Sequence, residues 1–200
     1  MMQAALSEDK ASLGPVLVDP EPTTQEAAHS NMLAFSDETR AHNAALPERD
    51  ANLIELTTMP RMRKCFGWLR FRGIELLRRM PLDLHPPMSM MVGKVERSID
   101  ADLTYMGLVY EYIEEGENEL AAVQEVLDFL WRAGFAHAPV TKAENWTAGV
   151  LLDHSEIVDC TGHGWDDRLF GYQTAEGVLG YYLDGTMPPE AVPRKRAVVP

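Results

Sequence analysis

The clearest periodic pattern in the chain runs from Leu120 to Ala133. Apolar residues recur there at spacings of three and four, with polar residues on the opposite side, which predicts an amphipathic helix. The apolar positions are Leu120, Val123, Val126, Leu127, Leu130 and Trp131, and the polar positions are Gln124, Glu125 and Asp128. Gly134 is expected to cap the helix. We predict that Leu127 and Leu130 face a core, whereas Gln124 and Asp128 face away from it.

Shorter patterns flank this helix on both sides. Leu108 to Tyr110 is a β-rich apolar run that predicts a buried strand, and it leads into the acidic run from Glu111 to Glu119. After the helix, the loop FAHAPVTKAEN precedes a short apolar strand within Gly149 to Ser155, which carries Asp153 at its end. The order is therefore strand, acidic segment, helix, loop, short strand and aspartate.

The remaining chain shows weaker patterns. Residues 1–30 have no sustained period and contain prolines, so they predict a mobile tail. Asn31 to Leu46 is compatible with a helix that Pro47 stops, and Met62 to Phe71 with a strand broken by Gly67. Further predictions are an irregular insertion over residues 76–92, loops with one short helix around residues 174–183, and a tail over 186–200. One domain over residues 31–185 is expected.

Composition narrows the class of protein. Hydrophobic residues make up 46% of the 200 residues, which is enough for a core. The net charge of −13 repels phosphate backbones and anionic membranes, so we expect neither nucleic acid nor membrane as a partner. The chain has two cysteines, no apolar run of membrane-spanning length and no apolar segment near its start. We expect an intracellular protein, cytoplasmic or nuclear, with reduced thiols.

The order of elements resembles the C-terminal lobe of a protein kinase. In that family the loop after the helix carries a His, a catalytic Asp and a metal-binding Asn, and the next strand presents a second metal-binding Asp. The resemblance matches His137, Asn145 and Asp153 to the His, the Asn and the second Asp. The run Asn145-Trp-Thr-Ala-Gly-Val-Leu-Leu-Asp-His-Ser155 is similar to fungal kinase-like proteins that are grouped with a kinetochore-subunit family.

A second motif extends this resemblance toward the start of the chain. Phe35-Ser-Asp-Glu38-Thr-Arg-Ala41 is similar to a helix of the small N-terminal lobe in the same kinase-like proteins. The fold implied is α+β, an incomplete protein-kinase-like fold with a partial N-lobe and a reduced helical C-lobe. Glu38 and His137 would then be structural relics. Asn145 and Asp153 would be a remnant of a nucleotide and metal site, with ATP and Mg²⁺ as the ligands implied.

Several parts that phosphoryl transfer requires are missing from the sequence. Ala138 and Pro139 stand where the resemblance puts Arg and the catalytic Asp, so no side chain there accepts a proton. No Gly-x-Gly-x-x-Gly loop and no strand resembling Val-Ala-x-Lys precedes Glu38, and Lys10 lies in a polar stretch. We assign no catalytic residue. The gap at Pro139 also weakens a small-molecule phosphotransferase of the aminoglycoside type.

Other chemistry has less support in the sequence. Cys160 with His163 and His154 includes zinc-ligand types, but no fourth ligand at tight spacing is evident. A nucleophilic Cys65 or Cys160 would need a base that the sequence does not identify. Asp166 and Asp167 are more typical of a solvated turn than of a paired-carboxylate site. The sequon at Asn145 has no secretion signal with it.

The sequence thus predicts a catalytically impaired kinase-like accessory protein that binds a protein partner, in a fungal pathway. Its contact surfaces would be the acidic run and the methionine-rich insertion. The alternative is a residual phosphotransferase that depends on ATP and Mg²⁺.

Overall fold

The computed structural model describes residues 2, 6, 13–46, 50–82, 85, 89–92, 94–137, 143–155, 157–162, 165 and 170–180. Short strands and helices alternate along this part of the chain, so the fold class is α+β, as predicted. The strands are β1 Val16–Val18, β2 Ile54–Leu56, β3 Cys65–Arg72, β4 Met90–Val92, β5 Val95–Arg97, β6 Thr104–Tyr110, β7 Phe135–His137, β8 Trp146–Thr147, β9 Val150–Leu151 and β10 Ile157–Asp159. The helices are α1 Gln25–Leu33, α2 Asp37–Ala45, α3 Gly73–Arg79, α4 Leu120–Arg132 and α5 Ala175–Leu179.

The chain divides into two compact units. One combines Met1–Met62 with Ile113–Pro200, and the other is the intervening segment Arg63–Tyr112. The first is called the main unit below, and the second the ribbon unit. The prediction of one domain over residues 31–185 stays a prediction, and the two units are described separately.

Helix α4 is the centre of the main unit. Its residues Val123, Val126, Leu127 and Leu130 are buried in one cluster, together with Trp146, Leu151 and side chains of α5. This confirms the predicted helix and its core-facing leucines, because a stripe at helical spacing must be covered by neighbouring elements. Gly134 follows the helix with φ +85°, which is the left-handed conformation expected at that position.

A second cluster joins the start of the chain to the end of α4. Val16 and Val18 of β1 pack with Phe35, and with Phe129 and Ala133 near the end of the helix. The rings of Phe35 and Phe129 meet edge to face with centroids 6.2 Å apart. Burial of β1, together with its antiparallel pairing to β2, anchors the N-terminal segment on the core.

The prediction of a mobile tail over residues 1–30 is accordingly wrong for its described part. Pro20 and Pro22 lie just after β1, but they do not prevent β1 and α1 from forming. Thr24 accepts a hydrogen bond from the N–H of Ala27 and so caps α1, which contains buried Ala28 and Asn31. Helix α1 spans the predicted boundary at residue 30. The tail predicted over 186–200 lies outside the described residues.

The predicted helix from Asn31 to Leu46 is two helices. Ser36 interrupts it, because its hydroxyl accepts a hydrogen bond from the N–H of Thr39 and caps α2. Hydrogen-bonded N-caps have extended backbone, so the chain turns between α1 and α2 at residues 34–36. The irregular insertion predicted over residues 76–92 is also partly wrong, because α3 continues to Arg79 and residues 90–92 form β4.

The ribbon unit is built on the antiparallel pair β3 and β6. Trp68 pairs with Leu108 and Arg70 with Met106, and the register shifts between Cys65 and Gly67. Gly67 has φ +118° at this bulge, so the predicted break at Gly67 is instead an irregularity within one continuous strand. Strands β4 and β5 form a second, shorter antiparallel pair.

Within the ranges described, no helix is both long and apolar enough to cross a membrane.

Candidate functional site

A short hairpin brings the two predicted site positions together. Strands β8 and β9 pair Trp146 with Leu151 and Thr147 with Val150, leaving Ala148 and Gly149 as the turn. Both turn residues have positive φ, as a two-residue hairpin turn requires. At the open end of the hairpin, the N–H of Leu152 donates to the carbonyl of Asn145 at 2.7 Å. Asp153 therefore lies one residue beyond a direct backbone contact with Asn145.

Asn145 and Asp153 differ in their surroundings. Asn145 ends a 3₁₀ turn and is 7% exposed, and its Nδ2 atom has no hydrogen-bond partner among the described residues. Asp153 is exposed, and its Oδ1 atom accepts the N–H of Ser155 at 2.8 Å. The hairpin end thus carries a buried amide at Asn145 and an exposed carboxylate at Asp153. These are oxygen-ligand types that Mg²⁺ takes together with water.

Gly116 and the side-chain amide of Asn118 fix the position of this hairpin. Gly116 accepts the N–H of Ala148 at 3.1 Å and donates its own N–H to the Thr147 hydroxyl at 3.0 Å. Asn118 donates to the carbonyl of Trp146 at 3.1 Å and accepts the N–H of Gly149 at 3.0 Å. The acidic run therefore has a defined backbone where it crosses the hairpin turn. Its glutamates 114, 115, 117 and 119 remain exposed.

His137 ends strand β7, which pairs antiparallel with β10. In that pairing the backbone of His137 lies opposite Ile157, and Ala136 lies opposite Val158. The segment that follows Asp153 thus returns alongside the strand that precedes residue 138. Ala138 and Pro139, where the catalytic residues of a kinase would stand, lie outside the described residues, as does Lys10.

Glu38 lies in the first turn of α2 and is exposed, with no hydrogen bond or ion pair to a described residue through its side chain. The carboxylate therefore contributes to the helix N-terminus through its charge rather than through a fixed partner. The prediction that Glu38 is a structural relic stays a prediction.

Arg40, two residues later, is the buried member of the same motif. It is 3% exposed, and its Nε atom donates to the carbonyl of Gly14 at 2.9 Å. Gly14 has φ +108°, and a Cβ atom there would lie 2.5 Å from the Arg40 carbonyl oxygen. Motif matching could not single out this residue, because a buried arginine reads as a surface charge until its partner is known.

Asn31 is a further buried polar residue that the sequence did not identify. Its Nδ2 atom donates to the carbonyls of Asp19 and Arg132, at 2.9 and 2.8 Å, and its Oδ1 atom accepts the N–H of Asp19 at 2.8 Å. The amide therefore ties α1 to the turn after β1 and to the end of α4. The polar atoms of the Asn31 amide all have hydrogen-bond partners, so we interpret this residue as one that stabilises the fold rather than one that takes part in a reaction.

The structure bears on Cys160, the residue that the zinc-site and nucleophile alternatives share. Cys160 is 1% exposed, and burial first, then the negative charge of Asp159, raises the pKa of its thiol. A raised pKa disfavours the thiolate that a nucleophile or metal ligand requires. His163, Asp166 and Asp167 lie outside the described residues. Where residues are described, no cluster of three or more His, Cys, Asp or Glu side chains could hold a metal ion.

Two open clefts flank Arg132 in the last turn of α4, with volumes of about 630 and 350 Å³. Neither is lined by Asn145 or Asp153. The hairpin end and these clefts are therefore separate features of the main unit.

Comparison of the chain with protein-family models, curated proteins and solved structures gave no match.

Proposed function

We propose that this chain is a catalytically impaired, kinase-like accessory protein that acts by binding another protein. The observation that supports this proposal most directly is the hydrogen bond from the Leu152 N–H to the Asn145 carbonyl. It joins the positions that the resemblance assigns to the metal-binding Asn and Asp. The order of β6, acidic run, α4, β7, hairpin and Asp153 supports the same assignment.

The impairment follows from residue chemistry. A phosphotransferase of this kind needs a side chain that accepts the proton of the attacking hydroxyl. The resemblance puts that group at Pro139, which has no acid or base function, and puts Ala138 where an arginine would be. The metal-ligand positions remain, but the proton acceptor does not. An accessory role in a fungal pathway is the function that this combination supports best.

The acidic run supplies a surface suited to a protein partner. Four exposed carboxylates lie within six residues, and hydrogen bonds from Gly116 and Asn118 to the hairpin fix the backbone that carries them. A fixed array of like charge favours a basic partner surface and raises its association rate at low ionic strength. The methionine-rich insertion is the second predicted contact surface, and Met91 in β4 is 64% exposed.

The binding role is tested with a charge-neutral variant. Glutamates 114, 115, 117 and 119 are changed together to glutamine, and proteins retained by tagged wild type and variant are quantified by mass spectrometry. We expect a partner that wild type retains and the variant loses, with retention falling as salt increases. Equal retention by both chains would rule out the acidic run as the contact surface.

A second candidate is a residual phosphotransferase dependent on ATP and Mg²⁺. The buried Nδ2 atom of Asn145 favours a bound nucleotide oxygen, because an unsatisfied buried amide donor costs about 1–3 kcal/mol unless a ligand or water supplies an acceptor. The Oδ1 atom of Asn145 and the carboxylate of Asp153 would hold the ion. Magnesium would supply charge neutralisation of the nucleotide phosphates.

Calorimetry and an assay of ADP release, both with ATP and Mg²⁺, distinguish the two candidate functions. The proteins compared are wild type, Asp153→Asn and Asp50→Asn. Both aspartates are exposed, and the Oδ1 of each accepts the N–H two residues later, at 2.8 Å for Asp153 and 2.9 Å for Asp50. Asparagine retains that acceptor and removes the charge. ADP release lost only in Asp153→Asn would overturn the proposal of an impaired protein. No heat of binding in wild type would exclude the phosphotransferase.

A further inference from the structure

The larger of the two clefts beside Arg132 belongs to the main unit alone. Its volume of about 630 Å³ lies within the range of small-molecule sites. Aromatic rings and one arginine line it, together with polar side chains from the segment between β1 and α1. We call it the aromatic cleft, and the described residues that line it include Trp131, Arg132, Phe170, Tyr172, Glu21 and Thr23.

Two aromatic rings form a fixed part of the cleft wall. Trp131 and Tyr172 meet edge to face, with ring centroids 5.3 Å apart. The Tyr172 hydroxyl accepts a hydrogen bond from Gln124 Nε2 at 3.1 Å, which holds this ring against α4. Tyr172 is nevertheless 55% exposed, so the wall offers aromatic surface on which the ring of a ligand can pack.

Arg132 brings a positive charge to the cleft without a counter-charge. The residue is half-buried, and its Nε atom is buried with no hydrogen-bond partner among the described residues. In the same part of the chain, no carboxylate lies within ion-pair distance of its guanidinium. A guanidinium carries five N–H donors in a planar fork that matches a carboxylate. Arg132 therefore has donor capacity that the described protein does not use.

Asp128 lies one helical turn before Arg132 and would be its expected partner. Its Oδ1 atom instead accepts a hydrogen bond from Gln124 Nε2 at 2.7 Å. Its carboxylate also forms a hydrogen bond with the Tyr172 hydroxyl. These two donors hold the carboxylate, so an acceptor for Arg132 has to come from a ligand.

The distribution of charge favours the aromatic cleft over the second cleft as a site for an anion. The second cleft carries three carboxylates among its described residues, from Glu55, Glu125 and Asp128. The described lining of the aromatic cleft carries one, from exposed Glu21. One arginine beside one glutamate leaves little net charge, so a singly charged anion is admitted more readily than a dianion.

We propose that the aromatic cleft binds a small aromatic monocarboxylate, with its carboxylate on the Arg132 guanidinium and its ring against Trp131 and Tyr172. Hydrogen bonds between an arginine and a carboxylate are among the strongest in proteins, because both partners are charged. Neither Asn145 nor Asp153 lines this cleft. The proposal therefore does not depend on the kinase-like function proposed above.

Phenylacetate is the probe, and phenylacetamide and acetate are its matched controls. Phenylacetamide keeps the ring and lacks the charge, whereas acetate keeps the charge and lacks the ring. Ligand-observed NMR titration of the whole chain should give a Kd on the order of 1 mM for phenylacetate, as expected for about ten non-hydrogen atoms in an open cleft. Both controls should bind about tenfold more weakly or worse, because each loses one of the two contacts.

Variants then assign the contacts. Arg132→Gln removes the charge and should weaken phenylacetate binding about tenfold or more. Arg61→Gln is the matched control, because Arg61 is exposed in the main unit and does not line the cleft, and the Kd should stay within about twofold. Glu21→Gln should tighten binding about twofold or more, because it removes a carboxylate that repels the ligand. Damage to the fold does not produce a gain in affinity.

Four results would overturn the proposal. Absence of binding up to about 20 mM phenylacetate shows that the cleft does not take this class of ligand. Equal affinity for phenylacetamide shows that the guanidinium is not used. Unchanged affinity in Arg132→Gln places the binding elsewhere, and weaker binding to Glu21→Gln contradicts the assigned repulsion. The ligand comparison and Glu21→Gln leave Arg132 intact, so they decide the proposal even if Arg132→Gln does not fold.

Discussion

The side chain of Gln124 caps a helix that begins fifty-one residues later. Its Oε1 atom accepts the backbone N–H of Ala175, the first residue of α5, at 2.8 Å. Its Nε2 atom lies 2.7 Å from Asp128 Oδ1 and 3.1 Å from the carbonyl of Gln173. The first N–H groups of a helix have no partner within the helix, so Gln124 satisfies one of them from α4.

Gln124→Ala should therefore destabilise the fold. The N–H of Ala175 would lose its partner in a residue that is 1% exposed, and an unsatisfied buried donor costs about 1–3 kcal/mol. Urea unfolding of both chains measures the change in free energy. The control is Glu125→Ala, because Glu125 is exposed on the same helix, and its cost should stay under about 0.5 kcal/mol. Equal unfolding midpoints would show that the contact with Ala175 contributes nothing.

The sequence placed Gln124 and Asp128 on a face that points away from the core, and neither is among the buried residues of α4, but both are half-buried rather than fully exposed. Periodicity identifies which residues of a helix are apolar, and it correctly found Val123, Val126, Leu127 and Leu130. It carries no information about a segment that returns fifty residues later with unsatisfied backbone groups. Gln124 is half-buried because residues 172–175 lie on it, whereas Glu125 remains exposed.

Leu127→Ala and Asp128→Ala test the register of α4. Leu127 is 4% exposed, and its truncation should cost about 2–5 kcal/mol. From the pattern alone, Asp128→Ala should cost under about 0.5 kcal/mol. The hydrogen bond from Gln124 raises that expectation to about 1 kcal/mol. Denaturant midpoints measure both, and a shared midpoint for the two variants would contradict the assigned register.

The N-terminal elements show a different limit of sequence patterns. Strand β1 has only three residues, and α1 has no apolar stripe, so neither gives a period that can be recognised. Their order depends on long-range contacts, above all the hydrogen bonds of Asn31 to Asp19 and Arg132. The placement of Asn145 and Asp153 depends less on distant contacts, because the two residues are joined by a local hairpin whose turn and flanking strands are contiguous in sequence.

The two cysteines should differ in reactivity. Cys65 is exposed in β3, whereas Cys160 is 1% exposed and burial raises the pKa of its thiol. Iodoacetamide at pH 8 should label one thiol per chain quickly, and Cys65→Ser should remove that fast phase, as followed by intact mass. Fast labelling that survives in Cys65→Ser would contradict the burial of Cys160.

The raised pKa of Cys160 also has a consequence for stability. The unfolded thiol ionises at its ordinary pKa, while the folded thiol still holds its proton. Above the ordinary thiol pKa, the unfolded state therefore binds fewer protons than the folded state, and the free energy of unfolding falls as pH rises. Labelling of Cys160 should accelerate as pH rises above the ordinary thiol pKa, because local opening becomes easier.

Alanine substitutions at Gly134 and Gly180 distinguish the energetic cost of backbone strain from the cost of a steric clash. Gly134 follows α4 with φ +85°, and Gly180 follows α5 with φ +70°, so alanine is strained at either position. A Cβ atom at Gly134 would clash with the carbonyl oxygen of Ala28, whereas one at Gly180 would meet no atom of a described residue within 4 Å. Gly180→Ala should cost about 1–2 kcal/mol, the strain of a left-handed residue.

Gly134→Ala should cost about 1–3 kcal/mol more than Gly180→Ala, because the carbonyl of Ala28 belongs to α1 and cannot move without shifting that helix. The difference between the two free energies of unfolding, measured in urea, isolates the close approach of α1 to the end of α4. This approach also allows the Asn31 amide to reach the Arg132 carbonyl at 2.8 Å. If both variants lose the same stability, α1 does not lie against Gly134, and the ordered N-terminal segment loses its main support.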